Sequence, residues 1–124
     1  MKRKSVGLAL GGGAARGIAH NGVLAFLQES QIHIDFVSGT SMGAMIGAAF
    51  CSVIEVPGLM EIAAQTGWRH ISSPTWPRYG LLSFDKLEKW VVDVVGDIDI
   101  RDFTIPFAAV ATDIYTGERV IIDK

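Results

Sequence analysis

Cysteine is nearly absent from this 124-residue chain: Cys51 stands alone, so no internal disulfide can staple the fold. Its place in an apolar helical run marks it as a small buried residue. Histidine is scarce as well. His20, His33 and His70 are scattered, and even with Cys51 they offer no ligand spacing for a metal. Neither sign of charge dominates: the formal net charge is −2 and the pI about 5.8, which leaves no electrostatic footprint for nucleic acid. Long apolar runs are missing too. The longest, around Met42 to Ile54, falls short of the roughly 18–20 residues of a membrane span. Val6 to Leu10, behind Met1-Lys2-Arg3-Lys4, is shorter than the roughly 7–15 residues of a signal-peptide core and runs straight into three glycines. That stretch is read as part of the fold, and a soluble cytoplasmic protein is the default expectation.

What is present is apolar and patterned. The hydrophobic fraction is 49% and the mean hydropathy +0.34, which excludes a disordered chain. The length suits one domain with a real core. Ser5 to Leu10 reads as a strand whose continuous apolar run suits a parallel sheet covered on both faces. Gly11-Gly12-Gly13-Ala14-Ala15-Arg16-Gly17 follows, then a helix with Ala19, Gly22, Val23, Phe26 and Leu27 on its inner face. Ile34 to Ser38 is a second strand, and a small-residue helix runs from the next turn to about Ile54. Pro57 suits the start of a further helix that Leu59 to Gln65 continues. This β-α-β-α order argues for an α/β layered domain.

From Gly67 to Leu82 the pattern breaks down. Trp68, Pro74, Trp76, Pro77 and Tyr79 interleave with Arg69, His70 and Arg78, which suits either a lid facing lipid or a long loop covering the core. Ser83 is expected to cap a helix through Val95 that Gly96 ends, with Phe84, Leu87, Val91, Val94 and Val95 inward. Ile105 to Ile114 is a strand, Tyr115-Thr116-Gly117-Glu118 a turn, and Arg119 to Ile122 a returning strand. The chain stops on that strand, with a sheet edge left bare. The expectation is one domain over residues 1–124 that continues beyond Lys124; a small domain ending on a hairpin is the alternative.

Between the second strand and its helix lies Gly39-Thr40-Ser41-Met42-Gly43, a G-x-S-x-G sequence in the strand-to-helix context of a nucleophile elbow. Side chains at Gly39 and Gly43 would clash with the neighbouring strand and helix. Ser41 would sit at a helix N-terminus, where the dipole favours the negative charge of acyl transfer. The alternative is a serine that merely caps the helix.

The glycine loop offers backbone N–H groups to an anion. As a dinucleotide site it fits poorly: Gly11-x-Gly13 begins G-x-G-x-x-G, but the sixth position is Arg16, Gly17 comes one residue late, and Asp35 opens its strand rather than ending it. As an oxyanion hole it fits better. Adjacent parallel strands place this loop and the elbow at one carboxyl edge, so Gly11, Gly12 and Gly13 can face Ser41. Arg16 would add positive charge nearby, or is a surface arginine. A base is harder to find. His70 is the only histidine after Ser41 and no strand precedes it; Asp113 suits a hydrogen-bonded turn at Thr116-Gly117 better than catalysis.

GGGAARGIAHNGVL followed by GTSMGAMIGAA resembles the patatin-like phospholipase family, in particular its bacterial branch, and Ala108 to Gly117 resembles that branch at the corresponding place. The resemblance covers essentially the whole chain. It implies a three-layer α/β hydrolase-type fold with a mostly parallel central sheet, incomplete in this chain. It also implies an acyl hydrolase acting on phospholipid or other lipid esters through a Ser-Asp dyad without histidine, without cofactor or metal, and with transient contact to a membrane surface. Ser41 matches the family nucleophile, Gly11 to Gly13 its oxyanion hole, Arg16 its basic position, and Gly39, Thr40, Met42 and Gly43 its elbow. One departure stands out. The family's aspartate lies in an Asp-Gly-Gly or Asp-Gly-Ala motif, and this chain contains no Asp-Gly pair. Two other readings stay open: a catalytically inactive lipid-binding or regulatory relative, and a nucleotide-binding module.

Overall fold

A computed structural model describes residues 3–52 and 85–124, together with positions 58, 61, 62, 64, 73, 74, 82 and 83. The sheet is formed by β1 (Gly7–Leu10), β2 (Phe36–Gly39), β5 (Phe107–Thr112) and β6 (Arg119–Ile122), in the spatial order β1-β2-β5-β6. β1, β2 and β5 are parallel and β6 returns antiparallel. A separate two-residue ladder pairs β3 (Ser73–Pro74) with β4 (Leu82–Ser83). The helices are α1 (Ala19–Glu29), α2 (Met42–Ser52) and α3 (Asp85–Val95). This is the expected α/β arrangement with a mostly parallel sheet.

Each crossover steps the same way across the sheet, from β1 to β2 and from β2 to β5. Right-handed crossovers that never reverse put all their helices on one face. α2 lies directly on that face, and α1 and α3 pack against α2. Alternate strand residues therefore have different fates. Leu10, Val37 and Phe107 point under α2 and are buried, joined in one core by Ile34 and Cys51. Gly7, Ala9 and Phe36 occupy the other face and are exposed. The continuous apolar run of β1 suggested cover on both faces. Among the described residues the cover is one-sided.

Small residues let α2 approach closely. At Gly47 a Cβ would stand 2.9 Å from the Phe107 ring and 3.3 Å from Val37. Cys51, at the far end of α2, is fully buried, and burial pushes its thiol pKa up to about 12. That is the inert role expected of it.

The amino edge of the sheet is tied by charge. Arg3 grips Asp35 with two hydrogen bonds of 2.6 and 3.1 Å, and Val6 N–H donates to the same carboxylate at 2.7 Å. These bonds, the Arg3 guanidinium first, hold the Asp35 carboxyl below its ordinary pKa.

Two expectations need correction. The inner stripe of α1 is Asn21 and Leu24, whereas Val23 and Phe26 are 49% and 64% exposed. A 3₁₀ turn over Ala14–Ile18 precedes the helix and sets its phase, so Gly17, Asn21 and Leu24 share the buried side at i, i+4 and i+7. Ser83 lies in β4, and α3 begins at Asp85. α3 ends where expected, at Gly96 with φ 94° and its N–H on the Val92 carbonyl. The Leu59 to Gln65 helix falls largely outside the described residues, although positions 58, 61, 62 and 64 are helical. His70, Phe84 and most of the aromatic stretch also lie outside them.

Two outcomes follow for the intact protein. Phe107→Ala should lower unfolding free energy by about 3–5 kcal/mol, whereas Val92→Ala, 43% exposed, should change it by less than about 0.5 kcal/mol. Equal losses in urea titration would contradict this core assignment. The Asp35 interaction has a depressed native pKa, so its contribution is full above about pH 4 and disappears as pH falls through the native value. Asp35→Asn should therefore be less stable than the parent at pH 7 and converge with it near pH 2; a gap that persists at pH 2 would exclude the linkage.

Candidate active site

Both loops of interest leave the carboxyl edge of the sheet from neighbouring strands. Leu10 pairs with Gly39 in the β1–β2 register, and Thr40 N–H continues the contact by donating to the Leu10 carbonyl at 3.1 Å. The glycine loop and the elbow therefore start side by side.

The elbow is sharp because its glycines are pressed on backbone. A Cβ on Gly39 would come within 2.6 Å of Ala44 N, and one on Gly43 would overlap the carbonyl oxygens of Leu10 and Gly11. Ser41 sits between them with φ 53°, in the left-handed region that a non-glycine residue enters at a cost of about 1–3 kcal/mol. Its carbonyl accepts from Ala44 N–H (2.9 Å) and Met45 N–H (3.2 Å), so it heads the first turn of α2. Its side chain is exposed at the dipole's positive end. Thr40 Oγ1 donates to the Val110 carbonyl at 3.0 Å and ties the elbow to β5.

The structure brings Gly12 against this serine. A Cβ there would lie 3.2 Å from Ser41 Cβ and 3.8 Å from Ser41 Oγ, so the Gly12 backbone runs close beside the Ser41 side chain. Gly11 has open space around its Cα, and Gly13 begins the 3₁₀ turn by accepting from Arg16 N–H at 3.0 Å. Arg16 is exposed in that turn, and its guanidinium has no ion pair among the described residues. Met42 is half-buried and rests on Gly17, where a Cβ would overlap the Met42 side chain.

The remaining candidates are engaged elsewhere. His33 and Asp35 lie 3.6 Å apart at the opposite, amino edge of the sheet. Asp113 Oδ1 accepts from Tyr115 N–H (2.8 Å) and Thr116 N–H (3.0 Å), and its carbonyl from Gly117 N–H. These backbone donors pull its pKa down and make it the turn residue expected. Ser41 Oγ has no hydrogen-bond partner among the described residues.

Two residues escaped sequence reasoning. Gly17 looked like a misplaced fingerprint glycine; its role is to admit Met42. His20 stood only among the scattered histidines, yet its Nε2 lies 2.8 Å from the Gly11 carbonyl. Only their position beside the glycine loop could have singled them out.

A strained serine at a strand–helix elbow, facing a glycine loop from the adjacent strand, defines a class: α/β proteins built around a G-x-S-x-G turn. Comparison with known proteins narrows it. The sequence profile of the patatin-like phospholipases matches residues 8–123, and the chain belongs to that family. It is 40% identical to neuropathy target esterase sws of Drosophila willistoni, and 38% identical to its counterpart in Drosophila melanogaster, over 89% of this chain in each case. The chain spans 8% of the length of these relatives. The crystal structure of the type III effector protein ExoU has the same fold, with a TM-score of 0.63 at 13% identity, over 98% of this chain and 36% of that one.

The contact geometry makes a direct contrast. Gly43→Ala should cost more than about 2 kcal/mol, because the clash is with backbone oxygen that cannot turn aside. Gly11→Ala, with nothing within 4 Å, should fold as the parent does. Thermal denaturation of both variants in the intact protein checks this, and comparable midpoints for the two would refute the close approach.

Proposed function

We propose that the protein is a serine acyl hydrolase acting on phospholipid or other lipid carboxylic esters. The observation that carries this reading is the strained Ser41 at the head of α2 with the Gly12 backbone against its hydroxyl side. Family membership and the esterase named among the relatives support the substrate class.

The chemistry uses Ser41 as nucleophile. A carboxylate takes the proton from Ser41 Oγ as the oxygen attacks the acyl carbon, and the negative charge moves to the carbonyl oxygen. Backbone N–H groups of Gly12 and Gly13 receive that oxyanion, aided by the positive end of α2. The tetrahedral adduct collapses, the alcohol leaves with the proton, and an acyl-serine remains. The same carboxylate then deprotonates water, which attacks the ester and releases the fatty acid, and Ser41 recovers its proton. We assign the base to an aspartate outside this chain, because Asp113 is committed to its turn and no Asp-Gly pair occurs in the sequence. Arg16, exposed beside the loop, would add positive charge toward the substrate phosphate. The setting we propose is cytoplasmic, with transient contact at a membrane surface.

A fluorophosphonate probe tests the reading on the intact protein. Ser41→Ala should abolish covalent labelling and lower kcat for short-chain esters by at least about 10³-fold. Labelling and hydrolysis undiminished in that variant would eliminate the proposal.

A further inference from the structure

His20 lies in the first turn of α1, partly buried, and its Nε2 meets the Gly11 carbonyl oxygen at 2.8 Å. A carbonyl only accepts, so Nε2 carries the hydrogen and donates. The ring lies close to the backbone of Gly17, the residue pressed on Met42, since a Cβ built there would stand 3.9 Å from its Cδ2.

The peptide that His20 holds is the one that matters for Ser41. A trans peptide is planar and sends its C=O and N–H in opposite directions. Fixing the Gly11 carbonyl toward His20 therefore fixes the direction of Gly12 N–H. Gly12 is the loop residue lying against Ser41, and neither Gly11 nor Gly12 has a side chain to restrain the peptide by itself. Gly43 packs against the Gly11 carbonyl oxygen, and the His20 hydrogen bond adds a directional restraint that packing alone does not supply; an oxyanion donor that must reorient during reaction loses its advantage.

We propose that His20 is a positioning residue that locks the Gly11–Gly12 peptide and so aims the Gly12 N–H at the oxyanion. The inference rests on the hydrolase reading above. It assigns His20 no proton transfer, only a hydrogen bond from Nε2 that holds the loop.

The test uses three variants of the intact protein with a short-chain ester and a fluorophosphonate. His20→Phe keeps a ring but removes the donor. Its kcat should fall about tenfold to a hundredfold with KM nearly unchanged, somewhat less than the loss of an oxyanion donor outright. His20→Gln can place an amide N–H near the Nε2 position and should recover most of the loss, whereas the shorter His20→Asn should not. Labelling rates should follow kcat, and thermal midpoints of the Gln and Asn variants should match. Overturning results are a His20→Phe kcat within about twofold of the parent, a loss shared equally by Gln and Asn, or a rise in KM alone. If the Phe variant does not fold, the Gln–Asn difference decides. Absence of Ser41-dependent labelling in the parent would instead sink the hydrolase reading, and this inference with it.

Discussion

The close approach of the first turn of α2 to the end of β1 is the constraint on which the rest of the site depends. Gly43 rests on the carbonyl oxygens of Leu10 and Gly11, where even a methyl group would overlap backbone. That single contact joins the exit of one strand to the entry of the helix that follows the next. It places the glycine loop beside the elbow, and it allows Gly12 to lie against Ser41. One turn further along α2, Gly47 continues the seat over Phe107 and Val37. The helix is thus held against backbone at Gly43 and against the buried side chains of the core at Gly47.

Strain at Ser41 becomes intelligible in this setting. The left-handed backbone at a serine is unfavourable in isolation, and it persists only where the surroundings over-determine it. Here Thr40 is anchored on both sides, through its N–H to Leu10 and its hydroxyl to Val110. The helix begins on the Ser41 carbonyl itself. The serine is left exposed at the positive end of α2, with its side chain unclaimed among the described residues. Packing energy from the Leu10, Val37, Cys51 and Phe107 core holds a local geometry that the elbow alone would not adopt.

How much of this was legible beforehand differs by residue. The elbow, the glycine loop and their shared edge could be read because G-x-S-x-G and a triple glycine report local backbone needs, and parallel strands bring successive loops to one edge. The Asp113 turn and the stop at Gly96 were legible for the same reason, being set by contacts a few residues away. The phase of α1 was not. Apolar spacing favoured Val23 and Phe26, but the 3₁₀ turn and the Gly17–Met42 contact rotated Asn21 and Leu24 inward. Nor could β1 reveal which of its faces is covered, because a run of small and apolar residues suits either.

The sequence by itself determined which backbones could bend and which side chain could attack, since those depend on glycine, serine and their nearest neighbours. It also offered no pattern in support of a histidine base. Tertiary structure alone decided which individual residues touch where those elements meet: Gly12 with Ser41, Gly17 with Met42, and His20 with the Gly11 carbonyl. The physical reason is range. Backbone strain and capping are settled within one turn of chain, whereas those contacts depend on strand register and crossover direction, which appear only when distant segments pack against one sheet.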